Sequence, residues 1–154
     1  MFNGTTIGNN PVSMIAGNDG NFYGVTYLGP AGNPYGSVFK ASPAGQVSTL
    51  HKFDLATGAS PFSLMQGKDG NLYGTTASGG KGNGVVYKLT LGGQPTVLHS
   101  FSLTDGTSPV SGLAAGGDGK LYGTTKFGGT NGRGVVYRWV SCQPRVIRPG
   151  ILCS

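Results

Sequence analysis

A chain of 154 residues with 37% apolar and only 10% charged residues suits one domain, and it contains no apolar run of the ~18 residues that a membrane-spanning helix needs. Its 30 glycines recur at fixed places between β-branched and aromatic runs, which excludes a flexible linker, a disordered segment or a collagen-like repeat. The net charge of +6 arises from a scarcity of acids, with no Glu and five Asp, and basic residues recur at equivalent places (Lys40, Lys88, Arg138), so it reads as a solvated surface and not as a nucleic-acid groove.

The opening residues, MFNGTTIGNN, lack a basic start and an apolar stretch, so neither a signal peptide nor membrane insertion is expected within this sequence. Unit one, about residues 8–57, opens at Gly8-Asn9-Asn10-Pro11 and carries NDGNFYGVT (Asn18 to Thr26), GSVFKA (Gly36 to Ala41) and TLHKF (Thr49 to Phe53). Its second loop, LGPAGNPYG, is the longest of its kind. Unit two, about 58–105, opens at Gly58-Ala59-Ser60-Pro61. Four strands are expected there: Phe62 to Gly67, Asn71 to Ala77, Gly84 to Thr90 and Thr96 to Phe101. Asp69-Gly70 closes the first hairpin, because Gly tolerates positive φ. Ser78 to Asn83 makes a looser second turn and Gly92-Gly93-Gln94 the third. Unit three, about 106–147, repeats the pattern from Gly106-Thr107-Ser108-Pro109 through GDGKLYGTT (Gly117 to Thr125) and GVVYRW (Gly134 to Trp139). Gln143 to Ile147 matches Gln94 to Leu98, so a fourth strand is expected there too. The last residues, 148–154, match nothing upstream, and Cys142 and Cys153 stand outside the repeat, as free thiols or one late disulfide.

Three units of about 50 residues, each with four short strands and no helical periodicity, predict an all-β fold: a β-propeller with three four-stranded blades per chain. Three blades do not close a ring, and each blade of such an array relies on its neighbours to cover its apolar faces. A homodimer closing a six-bladed ring is therefore expected.

The run LYGTT, a Gly-Gly loop, GVVYKL and a fourth strand ending in HSF resembles the tandem GloVer repeat family of secreted or surface-anchored bacterial proteins, over about Gly8 to Ile147. The resemblance implies a β-propeller and a secreted or extracytoplasmic home. It brings no catalytic residues, because the family is defined by its repeat.

In a propeller the first strand of each blade lines the channel, and the loops after strands two and four share one face. That topology expects Ser13, Ser63 and Ser111 to ring the channel and to form, with Asp54, Asp105 and Asn83, a ligand site at the channel mouth. Asp54 and Asp105 are also the candidates for holding a calcium ion. Asp19, Asp69 and Asp118 fall on the opposite face, where each is read as capping its own Asp-Gly hairpin and not as part of a metal ring. The paired positions His51 and His99 are read as structural, with no local partner to make either a general base. Tyr23, Tyr73, Tyr122, Phe39, Tyr87 and Tyr137 are read as packing between blades, with a sugar-stacking platform as the competing use.

No one-off set of nucleophile, acid and base stands out. The expected function is a binding or interaction scaffold for a small molecule or carbohydrate, with itself as partner and no obligate cofactor. The alternative is a calcium-supported hydrolase of the lactonase or esterase type.

Overall fold

The computed structural model of the chain describes residues 6–139 and the two-residue strand Ile151–Leu152. All of its regular elements are strands. β1 (Asn9–Ala16), β2 (Phe22–Leu28), β3 (Ser37–Ala41) and β4 (Val47–Lys52) form an antiparallel sheet in that order. β5 (Ala59–Gln66), β6 (Leu72–Ser78), β7 (Val85–Leu89) and β8 (Pro95–Ser100) repeat it. The third sheet holds β9 (Ala114–Ala115), β10 (Leu121–Thr124) and β11 (Val136–Trp139), antiparallel, with β12 (Ile151–Leu152) parallel to β11. The expected fourth strand of unit three, with Cys142 and Cys153, lies outside the described residues.

The second and third strands of unit two are covered on both faces, so they bury continuous runs and not alternate residues. Leu72 to Thr76 are buried without a break. Two motifs of the repeat explain each other here: a β-carbon at Gly74 would collide with the Tyr87 ring, so the glycine of LYGTT makes room for the aromatic of GVVYKL. One core gathers Tyr23, Val25, Val38 and Phe53 of unit one with Leu64, Leu72, Val85 and Tyr87 of unit two. A second joins Tyr73, Val86, Leu98 and Phe101 to Leu121 and Tyr137 of unit three. Fully burying side chains of this size contributes about 1.5–3 kcal/mol each.

The same devices link each unit to the next. Phe53, just past β4, meets Tyr87 edge-on at 5.0 Å, and Phe101 meets Tyr137 at 5.0 Å. Ser60 N–H donates to the Tyr35 carbonyl and Ser108 N–H to that of Asn83, both at 2.9 Å. Pro61 stacks on Gly36 and Pro109 on Gly84, whose φ of 96° and lack of a β-carbon let the proline ring approach.

The first strand of unit two starts at Ala59, three residues before the expected Phe62. Ser60 adopts φ 56° and a bulge falls between Pro61 and Ser63, so the proline, which has no N–H, is accommodated inside the strand. Asn10 and Ser108 repeat this left-handed conformation before their prolines. Unit three differs. Its segment from Pro109 to Gly116 is one residue longer than Pro61 to Gly67, which throws the ladder out of register and leaves only Ala114–Ala115 as first strand.

The two outer faces of the array contrast with its interior. Met14 is 59% exposed where its counterpart Leu64 is 6% exposed; Val136 is 76% exposed where Val38 and Val86 are 0%.

Candidate functional site

The loops after the fourth strands lie against the loops after the second strands. Gly80 N–H donates to the Leu55 carbonyl and Gly129 N–H to that of Leu103. Lys81 N–H donates to Ser100 Oγ at 2.7 Å. Asn83, half-buried, takes part through its carbonyl, which accepts from Ser108.

Asp54 and Asp105 occupy different offsets in their loops, yet they close the same turn with donor and acceptor exchanged. Asp54 Oδ1 accepts from Thr57 N–H and Thr57 Oγ1, each at 2.7 Å. At the end of unit two, Asp105 Oδ1 accepts from Ser102 N–H at 2.6 Å and Ser102 Oγ at 2.9 Å. The Thr57 hydroxyl holds Asp54 below the usual carboxylate range.

One histidine departs from the expectation that nothing local would partner it. His99 Nε2 lies 2.9 Å from Asp105 Oδ2, and since an ionised carboxylate only accepts, Nε2–H donates. Asp105 is within reach because it stands at the far end of its loop. In unit one the carboxylate stands at the near end, as Asp54, and the buried His51 Nε2 has no hydrogen-bond partner among the described residues. Burial lowers the pKa of both rings, against the pull of Asp105 on His99 and of Asp54 on His51. Ser102, Asp105 and His99 bring together the residue types of a hydrolase triad in the wrong order: the carboxylate sits between hydroxyl and imidazole, so the imidazole does not take the serine proton.

The serines divide. Ser63 Oγ is 3.5 Å from Thr75 Oγ1, which donates to the Ser111 carbonyl at 3.2 Å, so Ser63 and Ser111 adjoin across two units. Ser111 Oγ donates to the Thr124 carbonyl and accepts from Thr124 N–H, at 3.0 and 2.9 Å, standing in for the ladder that the extra residue interrupts. Ser13 is half-buried in β1 opposite Val25. The loop face also exposes Leu55, Leu103 and Phe127, a patch that motif reading passed over because their chemistry is plain.

On the opposite face the Asp-Gly turns are clamps. Asp19 Oδ1 accepts from Asn21 N–H while Oδ2 accepts from Tyr23 at 2.7 Å and pairs with Lys40 at 3.4 Å. Asp69 repeats this with Asn71, Tyr73 and Lys88, and Asp118 with Lys120 and Tyr122. Tyr23 and then Asn21 lower the Asp19 pKa, and Lys120 first among its partners holds Asp118 at about 2. Burial opposes ionisation of Asp69, but its hydrogen bonds from Asn71, Tyr73 and Lys88 outweigh it. Among the described residues no three His, Cys, Asp or Glu side chains gather as a metal site.

Stacked sheets of antiparallel strands with repeated inter-unit contacts define a propeller-like repeat protein. Virginiamycin B lyase from Staphylococcus aureus, in a catalytically inactive form with quinupristin, superposes with a TM-score of 0.55 at 13% identity, covering 82% of this chain and 40% of that one. A gluconolactonase from Xanthomonas campestris gives 0.53 at 19% identity, over 82% and 46%. A putative gluconolactonase gives 0.50 at 19%, over 91% and 48%. The chain thus spans less than half the length of these structures, and at such identities the likeness is one of fold. The chain belongs to the Gloeobacter/Verrucomicrobia repeat family, whose model matches residues 1–144. No curated protein matches its sequence.

Proposed function

We propose that the chain is half of a propeller: three blades that associate with a second copy into a six-bladed ring, which serves as a non-catalytic binding scaffold with its ligand site at the channel mouth. The observation that carries this is the pair of open faces. Val38 and Val86 are each covered by the next unit, whereas Val136, at the same place in unit three, is exposed, and Met14 is the exposed counterpart of Leu64. A second copy would set its Met14 face on Val136, its Pro11 on Gly134 and its Asn10 N–H on the Arg133 carbonyl, as Pro109 and Ser108 already sit on Gly84 and Asn83.

The non-catalytic reading is supported by the acids. All five carboxylates are engaged in turns, clamps or the His99 pair. On the loop face, the exposed Leu55, Leu103 and Phe127 would offer apolar contacts to a ligand at the mouth. Sedimentation equilibrium tests the ring: a folded species of twice 15.7 kDa is expected, and a well-folded monomer overturns it.

The second reading is a calcium-supported lactonase, favoured by the gluconolactonases among the similar structures. Asp54 and Asp105 would carry the ion, and both would first have to leave their loop hydrogen bonds. Chelator-sensitive turnover of a sugar lactone would establish this reading in place of the first.

A further inference from the structure

The junction between units one and two is bridged at its turn face. Gln66 Oε1 accepts from Asn18 N–H at 2.8 Å, while Gln66 Nε2 donates to the Gly70 carbonyl at 2.8 Å. At the next junction Lys68 stands where Asn18 stood, and Ala115 stands where Gln66 stood, pairing with Leu121 as Gln66 pairs with Leu72. The alanine side chain has no acceptor, so no such bridge forms, and a cleft of about 490 Å³ opens between the two sheets. That is within the range of small-ligand pockets, roughly 300–1,000 Å³.

The cleft is lined by the one residue the repeat does not predict. Trp139 replaces Ala41 of unit one and the fully buried Leu89 of unit two, and it is the chain's single tryptophan. It faces Tyr73 at 6.4 Å between ring centroids, with the rings inclined at 47°. Met65 and Leu121 complete an apolar lining, and Lys68 and Lys120 stand at its edge. The Tyr73 hydroxyl is held by Asp69, and Asp69 is itself held by Lys88, so this wall is fixed. Lys120 pairs with Asp118, whereas Lys68 forms no ion pair among the described residues.

We propose that this cleft binds a small ring-bearing carboxylate: the apolar face of the ring lies against Tyr73 and Trp139, and the carboxylate pairs with Lys68. The site goes beyond the channel mouth and lies within one chain, so it operates whether or not two copies close a ring. Acidic pyranoses and aromatic acids share the required chemistry, and the test separates them.

Trp139 reports directly, being the only tryptophan. Titration of the full chain with glucuronate, and separately with phenylacetate, is followed by tryptophan fluorescence, with glucose as the uncharged control. Saturable quenching or a spectral shift is expected with one of the acids and not with glucose. Which acid responds identifies the ligand as sugar or aromatic. Lys68→Ala should weaken binding about tenfold, the usual scale for one charge-assisted hydrogen bond. Ala115→Gln should rebuild the bridge found at the first junction, fill the cleft and abolish the response, with the melting temperature held or raised. Trp139→Leu restores the repeat residue, and by isothermal calorimetry it should not bind. Absence of saturation with both acids up to on the order of 10 mM, an equal response to glucose, or binding unaffected by Ala115→Gln overturns the proposal. None of these outcomes depends on the sedimentation result.

Discussion

Between units one and two the packing is finished: Leu89 is fully buried, Gln66 ties the turn of one sheet to the strand of the next, and Val38 is sealed. Between units two and three the same architecture is kept at its core, with Phe101 on Tyr137 repeating Phe53 on Tyr87, but its turn end is open around Ala115 and Trp139. Beyond unit three Val136 is exposed. The array thus runs from closed to cleft to open, and the difference lies in a few substitutions on an unchanged frame. A repeat can vary at its rim because its stability resides in the nearest-neighbour cores.

The sharpest way to break that comparison is to place one charge at two equivalent positions. Val86→Asp buries a carboxylate with no partner and should unfold the protein, at a cost of more than about 4 kcal/mol, read by loss of the far-ultraviolet β signal. Val136→Asp should leave the fold and melting intact in dilute solution and abolish association, read by sedimentation. If the two variants behave alike, the interior and the open face are not counterparts. Phe101→Ala empties a fully buried site against Tyr137 and should cost about 3–5 kcal/mol in chemical denaturation.

Smaller effects separate unit one from unit two. The Tyr87 hydroxyl is buried without a partner, and burial raises its pKa, whereas unit one has Phe39 at that place. Tyr87→Phe should therefore stabilise the chain by about 1 kcal/mol, and a loss of stability would show that the hydroxyl is satisfied after all. Gln66→Ala should open the first junction as the second is open, at about 0.5–1.5 kcal/mol by thermal melting. The least effect is the pH dependence of the histidines. Burial lowers both folded pKa values below the ordinary 6.5, so the unfolded chain binds more protons. Their contribution is present above pH 6.5 and is lost as pH falls below it. His99→Gln should flatten that slope between pH 5 and about 6.5, and an unchanged slope would place the titration elsewhere.

Much of this was legible in residues. The Asp-Gly turns, the packing of Tyr23, Tyr73, Tyr87 and Tyr137 and the later three strands of unit two follow from the repeat, because each rests on local turn chemistry or on the same residues recurring in each unit. The partner of His99 was not legible. Asp105 lies six residues along the chain, at an offset that unit one does not share, and only the loop's path brings the carboxylate back to the ring. Nor was the loss of the first strand in unit three, where one extra residue shifts the register and Ser111 repairs the ladder with its hydroxyl.

By itself the sequence determined that this chain is an all-β array of three repeated sheets, because glycine, aromatic and β-branched residues at fixed spacing leave the backbone few other ways to turn and pack. Tertiary structure alone decided which equivalent residues are covered and which are open. Burial is a property of what lies across an interface, so Val86 and Val136, or Leu89 and Trp139, read alike along the chain and differ only where a neighbouring sheet is present or falls short.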